Sequence, residues 1–154
     1  MGRVIAAAAA AALLAATATT AEAQTGEPVP YRTIASDWTG RYTAKTTFVI
    51  RDRRRYRHVW QRLQHTIPAP RRPRIDFRRR MLIAVLRGSG TGTGLVLESV
   101  TREGSGMLVR VTETRAGAGC VVPQWVTNDY ELIAVPRTAG PVRTERAERV
   151  VDCA

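Results

Sequence analysis

The chain has 154 residues, with 24 Lys or Arg against 13 Asp or Glu, a net charge of +11, and two cysteines. That length suits one ordinary domain built on a single core, and no internal repeat points to an array. After the first 23 residues no apolar run approaches the roughly 20 residues of a spanning helix, which excludes a helical membrane span in the body of the chain.

Arg3 precedes an apolar run over residues 4–16, and Ala21-Glu22-Ala23 follows, with small residues where a signal peptidase reads. The pattern predicts a secretory signal peptide over 1–23, and so a protein that works in the periplasm or outside the cell. Thr17, Thr19 and Thr20 break the run too soon for a membrane anchor. No Cys stands near the cleavage point to carry a lipid. Residues 24–44 read as a polar leader segment, loose over its first part, where Pro28 and Pro30 lie. A single globular domain is expected over 45–154.

Residues 45–50 alternate, with Thr46, Phe48 and Ile50 on one face, and predict a short strand. Asp52 then stands as an N-cap. Tyr56, Val59, Trp60 and Leu63 follow at i, i+3, i+4 and i+7, an amphipathic helix with Trp60 on its buried face. Arg53, Arg54, Arg57 and Arg62 fall on or beside the other face, and Pro68 sets a limit to the helix. Residues 68–73 form a rigid basic loop. Asp76 is expected to make a structural ion pair or cap a turn, and Arg78, Arg79 and Arg80 follow it. Residues 81–86 are continuously apolar, as in a strand covered on both faces.

Residues 88–94 contain only Gly, Ser and Thr. They lack the Lys-Ser or Lys-Thr of a phosphate loop and lead into a strand, so they read as a flexible binding loop or a wide turn. Residues 95–101 and 107–114 form a hairpin around Gly104-Ser105-Gly106, with Met107, Val109 and Val111 on one face. Residues 121–127 and 130–135 read as two further strands joined at Asn128-Asp129. A polar last strand or extended tail runs from 142 to 151. One helix and about six strands, mostly antiparallel, make an α+β fold with the helix packed on a sheet or sandwich.

Cys120 and Cys153, an even count in an exported chain, read as one disulfide closing a loop of about 34 residues. A metal or redox pair is the alternative, but redox pairs use C-x-x-C spacing and zinc takes about four ligands. His58 and His65 are the only imidazoles. No catalytic residue, metal ligand or cofactor is assigned, and no enzyme activity is expected.

The charge is unevenly spread. Residues 24–90 carry sixteen basic and four acidic side chains, a net +12, and residues 91–154 a net −1. A basic face of this kind attracts polyanions, which outside the cytoplasm means acidic lipid, acidic glycan or acidic protein. Aromatic spacing suits packing rather than base stacking, and nucleic acid is not expected as a partner. Candidate partner-binding residues are Thr91, Gly92, Thr93 and Gly94 in the Gly-rich loop, and Arg53, Arg54, Arg57, Arg78, Arg79 and Arg80 in the basic clusters.

Several short motifs recur in a familiar order. Gln61-Arg62-Leu63 leads to Arg74-Ile75-Asp76-Phe77-Arg78, then to the apolar strand and the Gly-rich loop ending at Gly94. Cys120-Val121-Val122-Pro123-Gln124, Thr127, Tyr130 and Val135-Pro136-Arg137 follow. From about Phe48 to Cys153 the chain resembles the PrcB-type domain of the protease complex subunit PrcB family. It departs from that pattern at Thr93-Gly94-Leu95, where the family tends to Gly-Gly-Tyr, and at Thr127-Asn128-Asp129-Tyr130, where it tends to Thr-x-Pro-Tyr. The resemblance implies an exported, non-enzymatic accessory domain that stabilises a surface protease complex. Polyanion binding through the Arg-rich half and protease inhibition are the alternative functions.

Overall fold

The computed structural model describes residues 26–64 and 70–153; the signal-peptide reading over 1–23 and His65 lie outside them. The elements are β1 (Arg32–Asp37), β2 (Thr46–Ile50), α1 (Arg53–Leu63), β3 (Arg80–Gly90), β4 (Thr93–Glu103), β5 (Gly106–Ala116), β6 (Thr127–Pro136) and β7 (Val142–Val151). They form a four-stranded sheet in the order β1-β6-β3-β2 and a three-stranded sheet in the order β4-β5-β7. All pairings are antiparallel except β5 with β7, which are parallel.

The apolar run of β3 explains the layering. Leu82, Ala84 and Leu86 join a buried cluster with Tyr56, Val59, Trp60 and Leu63 of α1. Met81, Ile83 and Val85 point the other way and join Val100, Met107, Val109 and Val111 of the three-stranded sheet. A strand covered on both faces has no face left for polar residues. Its neighbour β6 divides in the same way, with Leu132 and Ala134 towards the helix and Ile133 and Val135 towards the second sheet. Each fully buried Leu, Ile or Val side chain contributes about 1.5–3 kcal/mol, so these two central strands hold both layers together.

Helix α1 starts where its cap predicts. The Asp52 side chain accepts from the Arg55 backbone N–H at 2.8 Å, satisfying one of the orphan donors of the first turn. The helix ends at Leu63, with Gln64 as its C-cap.

Four segments differ from the sequence expectation. Residues 24–44 are not a leader throughout: β1 pairs with β6 along Arg32–Asp37. Before it, Val29 is buried and its N–H donates to the Val100 carbonyl at 2.8 Å. An edge strand needs only one apolar face, so its polar sequence hid it. Residues 121–126 are not a strand, because Pro123 offers no N–H to a ladder and Val121 is fully exposed. Asn128-Asp129 is not a turn, since β6 runs through it opposite Ser89 and Gly88. Ser89 Oγ lies 2.7 Å from Asn128 Oδ1, and Thr127 Oγ1 lies 3.1 Å from Asp129 Oδ2. Cross-strand pairing with β3 overrides the local turn preference of these residues.

The Gly-rich stretch is also mostly strand. β3 continues to Gly90 and β4 begins at Thr93, so only Thr91 and Gly92 lie between them, where the chain passes from one sheet to the other. Gly88 has φ +83° at a register shift in β3, and a Cβ there would meet the backbone of residues 43–45. Gly92 has φ +58°, and its Cβ would strike the Val122 side chain. Both positions need glycine.

β7 closes the fold. Its polar residues bridge to the open edge of β2: Arg146 donates to the Thr46 carbonyl at 3.0 Å, and Thr144 Oγ1 meets Thr47 Oγ1 at 3.0 Å. Arg146 also holds the buried Glu113 carboxylate at 2.8 Å, and Lys45, the only lysine, holds it at 2.6 Å. Burial alone would raise the Glu113 pKa, but hydrogen bonds and charge from Lys45 and Arg146 outweigh it and hold the carboxyl below its ordinary value. A depressed folded pKa gives stability that is present above the unfolded value and lost as pH falls through the folded one. Glu113→Gln should therefore melt lower than the parent protein at neutral pH, with the gap narrowing as pH falls below about 4.5. Thermal melts of both proteins across that range check it, and a gap independent of pH would overturn it.

Candidate functional site

Residues singled out in the sequence fall at opposite ends of the molecule. β3 has eleven residues, and a strand rises about 3.3 Å per residue, so Arg80 and Gly90 lie about 30 Å apart. The Gly-rich turn sits at the Gly90 end. Arg78, Arg79 and Arg80 sit at the other, together with Arg53 at the start of α1. The structure does not bring these two groups into one site.

At the Gly90 end, Thr91 is exposed and Gly92 rests against Val122, while the Gly92 carbonyl accepts from the Ala116 N–H at 2.8 Å. The disulfide between Cys120 and Cys153, with Cα atoms 5.2 Å apart, ties this loop to the end of β7. The cysteine expectation is met, and the Gly117 N–H donates to the Val151 carbonyl at 2.9 Å beside it. Residues 121–126 then cross the end of the sheets and present Trp125. Its ring stacks on Trp38 with centroids 6.3 Å apart. Trp38 is 52% exposed and Trp125 59% exposed, with Val121 and Val126 also open to solvent. Trp38 and Val126 border a groove of about 550 Å³ that continues over Gly40, Arg41, Thr43 and Asn128. The groove has a firm base: the Asn128 N–H donates to the Trp38 carbonyl at 2.8 Å.

Sequence reasoning missed both tryptophans. Trp38 lay in the supposed leader and Trp125 in a supposed strand, where an aromatic residue reads as core. Nothing local distinguishes a buried indole from an exposed one.

Across the molecule the arginines take different roles. Arg55 lies over Phe48 at 5.4 Å and Arg62 over Tyr42 at 4.8 Å, covering aromatic faces as cation–π partners. Arg137 donates to the Arg51 and Phe77 carbonyls at 2.8 and 2.9 Å, and Arg51 to the Gly140 carbonyl at 2.9 Å. These two arginines hold loops together. Asp76 caps its own turn, accepting from the Arg78 N–H at 3.0 Å, and lies 3.9 Å from Arg79, as its structural reading expected. Arg54, Arg57 and Arg80 are exposed. Arg53, also exposed, borders a cleft of about 530 Å³ with Arg72, Arg74, Tyr56 and Phe77. Arg72 and Arg74 were absent from the candidate residues, because sequence alone showed only a basic loop around Pro73.

Among the described residues no helix is long and apolar enough to cross a membrane. Searches with the chain matched no family model, no curated protein and no solved structure.

Proposed function

We propose that this protein is an exported, non-enzymatic binding domain that docks a protein partner through the Trp38–Trp125 end. The observation that carries the reading is the stacked, half-exposed indole pair beside an open groove. Tryptophan is enriched where interfaces concentrate their energy, and an apolar patch rimmed by polar residues on a small domain marks a contact surface. The surface is also preorganised. The disulfide, the Gly92–Val122 contact and the β3–β6 ladder hold its parts before any partner arrives, which lowers the entropy cost of docking.

The disulfide supports placing the protein outside the cytoplasm, where such bonds persist. The resemblance to the PrcB-type domain supplies the partner class, a subunit of an envelope protease complex whose apolar side chain seats in the groove beside Trp38. Affinity capture from envelope extract, using the mature protein as bait, tests this. A protease subunit should be recovered by the parent protein, and the paired change Trp38→Ala with Trp125→Ala should abolish recovery. Each truncation should cost about 2 kcal/mol or more of binding, as at a hot spot. Equal recovery by the double variant, or no protease subunit from either bait, would sink the reading.

A further inference from the structure

We propose that the cleft between the start of α1 and residues 72–77 is an oxyanion site that takes a phosphate or sulfate group. It lies at the end of the molecule opposite the tryptophan pair and does not depend on the function proposed there.

Two independent observations carry it. The first is charge. Arg53, Arg72 and Arg74 border one cleft with no acidic residue along its lining, and among the described residues none of the three has a carboxylate within ion-pair distance. Elsewhere in the fold arginines do find such partners, as Arg110 does with Glu145 at 2.9 Å and Arg143 with Glu103 at 3.0 Å. Three guanidinium groups left unpaired around one concavity repel each other, and an anion relieves that repulsion. Each offers a fork of five donors matched to a tetrahedral oxyanion.

The second is the Tyr56 hydroxyl. Tyr56 is buried, it lines this cleft, and among the described residues its Oη has no hydrogen-bond partner. Buried hydroxyls are normally satisfied. Tyr130, the comparable buried tyrosine on the same layer, receives a hydrogen bond from Gln64 Nε2 at 2.8 Å. Burial pushes the Tyr56 pKa up to about 12, against the pull of Arg72 and Arg32, so at neutral pH the hydroxyl is a donor in want of an acceptor. The Arg72 guanidinium lies over the Tyr56 ring at 5.4 Å. With no carboxylate to hold it, this side chain can re-aim at an incoming anion and open the hydroxyl to the same ligand. Phe77 packs edge-on against Tyr56 at 5.9 Å and fixes the ring.

A carboxylate would satisfy one guanidinium. A phosphate monoester carries about two negative charges and three acceptor oxygens, which suits three arginines and a hydroxyl. Outside the cytoplasm such a group could be a free ion or a lipid headgroup, and the two sources share this chemistry.

The test titrates the mature, disulfide-bonded protein with inorganic phosphate, sulfate and acetate, followed by calorimetry and amide NMR. Saturable binding of phosphate or sulfate, tighter than acetate, is expected. Tyr56→Phe and Arg72→Ala should each weaken it by about tenfold or more, the effect of losing a hydrogen bond to a charged group. Arg149→Ala, an exposed arginine on β7, should leave it unchanged. Tyr56→Phe keeps the ring and removes only the unpartnered hydroxyl, so its melting temperature should stay level or rise while binding falls. A purely structural tyrosine would not separate the two readouts. Vesicles of phosphatidylcholine with and without phosphatidic acid identify the source. Vesicle binding displaced by free phosphate assigns a headgroup, and binding of the free ion alone assigns a soluble anion. No saturable binding in either arm, or equal weakening by Arg149→Ala, overturns the proposal. The Trp38→Ala, Trp125→Ala protein should bind phosphate normally, so failure at one end is distinguishable from failure at the other.

Discussion

Truncating Trp60 to alanine is expected to cost the fold about 3–5 kcal/mol, the usual penalty for emptying a buried aromatic site. Trp60 is 7% exposed and belongs to the cluster that joins α1 to Leu82, Ala84, Leu86, Leu132 and Ala134. Tyr56 meets it edge-on at 5.8 Å, so the cavity would be bounded by a ring and two central strands that cannot easily collapse into it. A small domain has only about 5–15 kcal/mol of stability in total, and this one substitution removes a large part of it. Urea unfolding should show a lower midpoint at an unchanged slope. The chain has three tryptophans, and the other two serve as controls. Trp38→Ala and Trp125→Ala leave half-exposed positions and should each cost much less than Trp60→Ala. If all three variants unfold at the same midpoint, the division into one core and two surface indoles is wrong.

Cys153→Ser should lower stability by about 2–4 kcal/mol under oxidising conditions. The bond joins residues 33 apart in sequence, and its effect acts mainly on the unfolded chain, which gains the freedom of an opened loop when the bond is absent. In the folded state β7 keeps its ten-residue register with β5, so the variant should retain its sheet. What it loses locally is the tie between the loop carrying Trp125 and the end of β7. Under reductant the variant and the parent protein should unfold at the same denaturant concentration. Equal stability of the two proteins without reductant would refute a role for the bond. Two alkylatable thiols in the native protein, isolated without reductant, would refute the bond itself.

Much of the fold was legible along the chain, and the reason is local. Asp52 and the spacing of Tyr56, Val59, Trp60 and Leu63 define α1, because capping and helical periodicity operate within a few residues. The six apolar residues after Arg80 define the central strand, because a run with no polar face must be covered twice. The hairpin of β4 and β5 follows from alternation around Gly104, and its inward residues Met107, Val109 and Val111 are those that pack against β3. With two cysteines in the chain, the pairing has one solution.

The rest depended on partners distant in sequence. β6 runs through Asn128 and Asp129 because β3 lies alongside it, not because these residues favour a strand. β1 forms from a polar segment because β6 offers it an edge, about 100 residues further along the chain. β7 lies parallel to β5 and bridges β2 through Arg146 and Glu113, a choice invisible in a tail that reads only as polar. The candidate sites are of the same kind. Trp38 and Trp125 stack because two sheets end beside each other, and Arg72 covers Tyr56 because residues 72–77 lie beside the start of the helix. Sequence by itself determined the buried face of α1, the doubly covered run of β3 and the inward face of the β4–β5 hairpin, because periodicity and capping are short-range. Only tertiary structure decided which aromatic rings stay exposed and which arginines stay unpaired, because exposure and pairing depend on whichever remote segment arrives to cover or neutralise them.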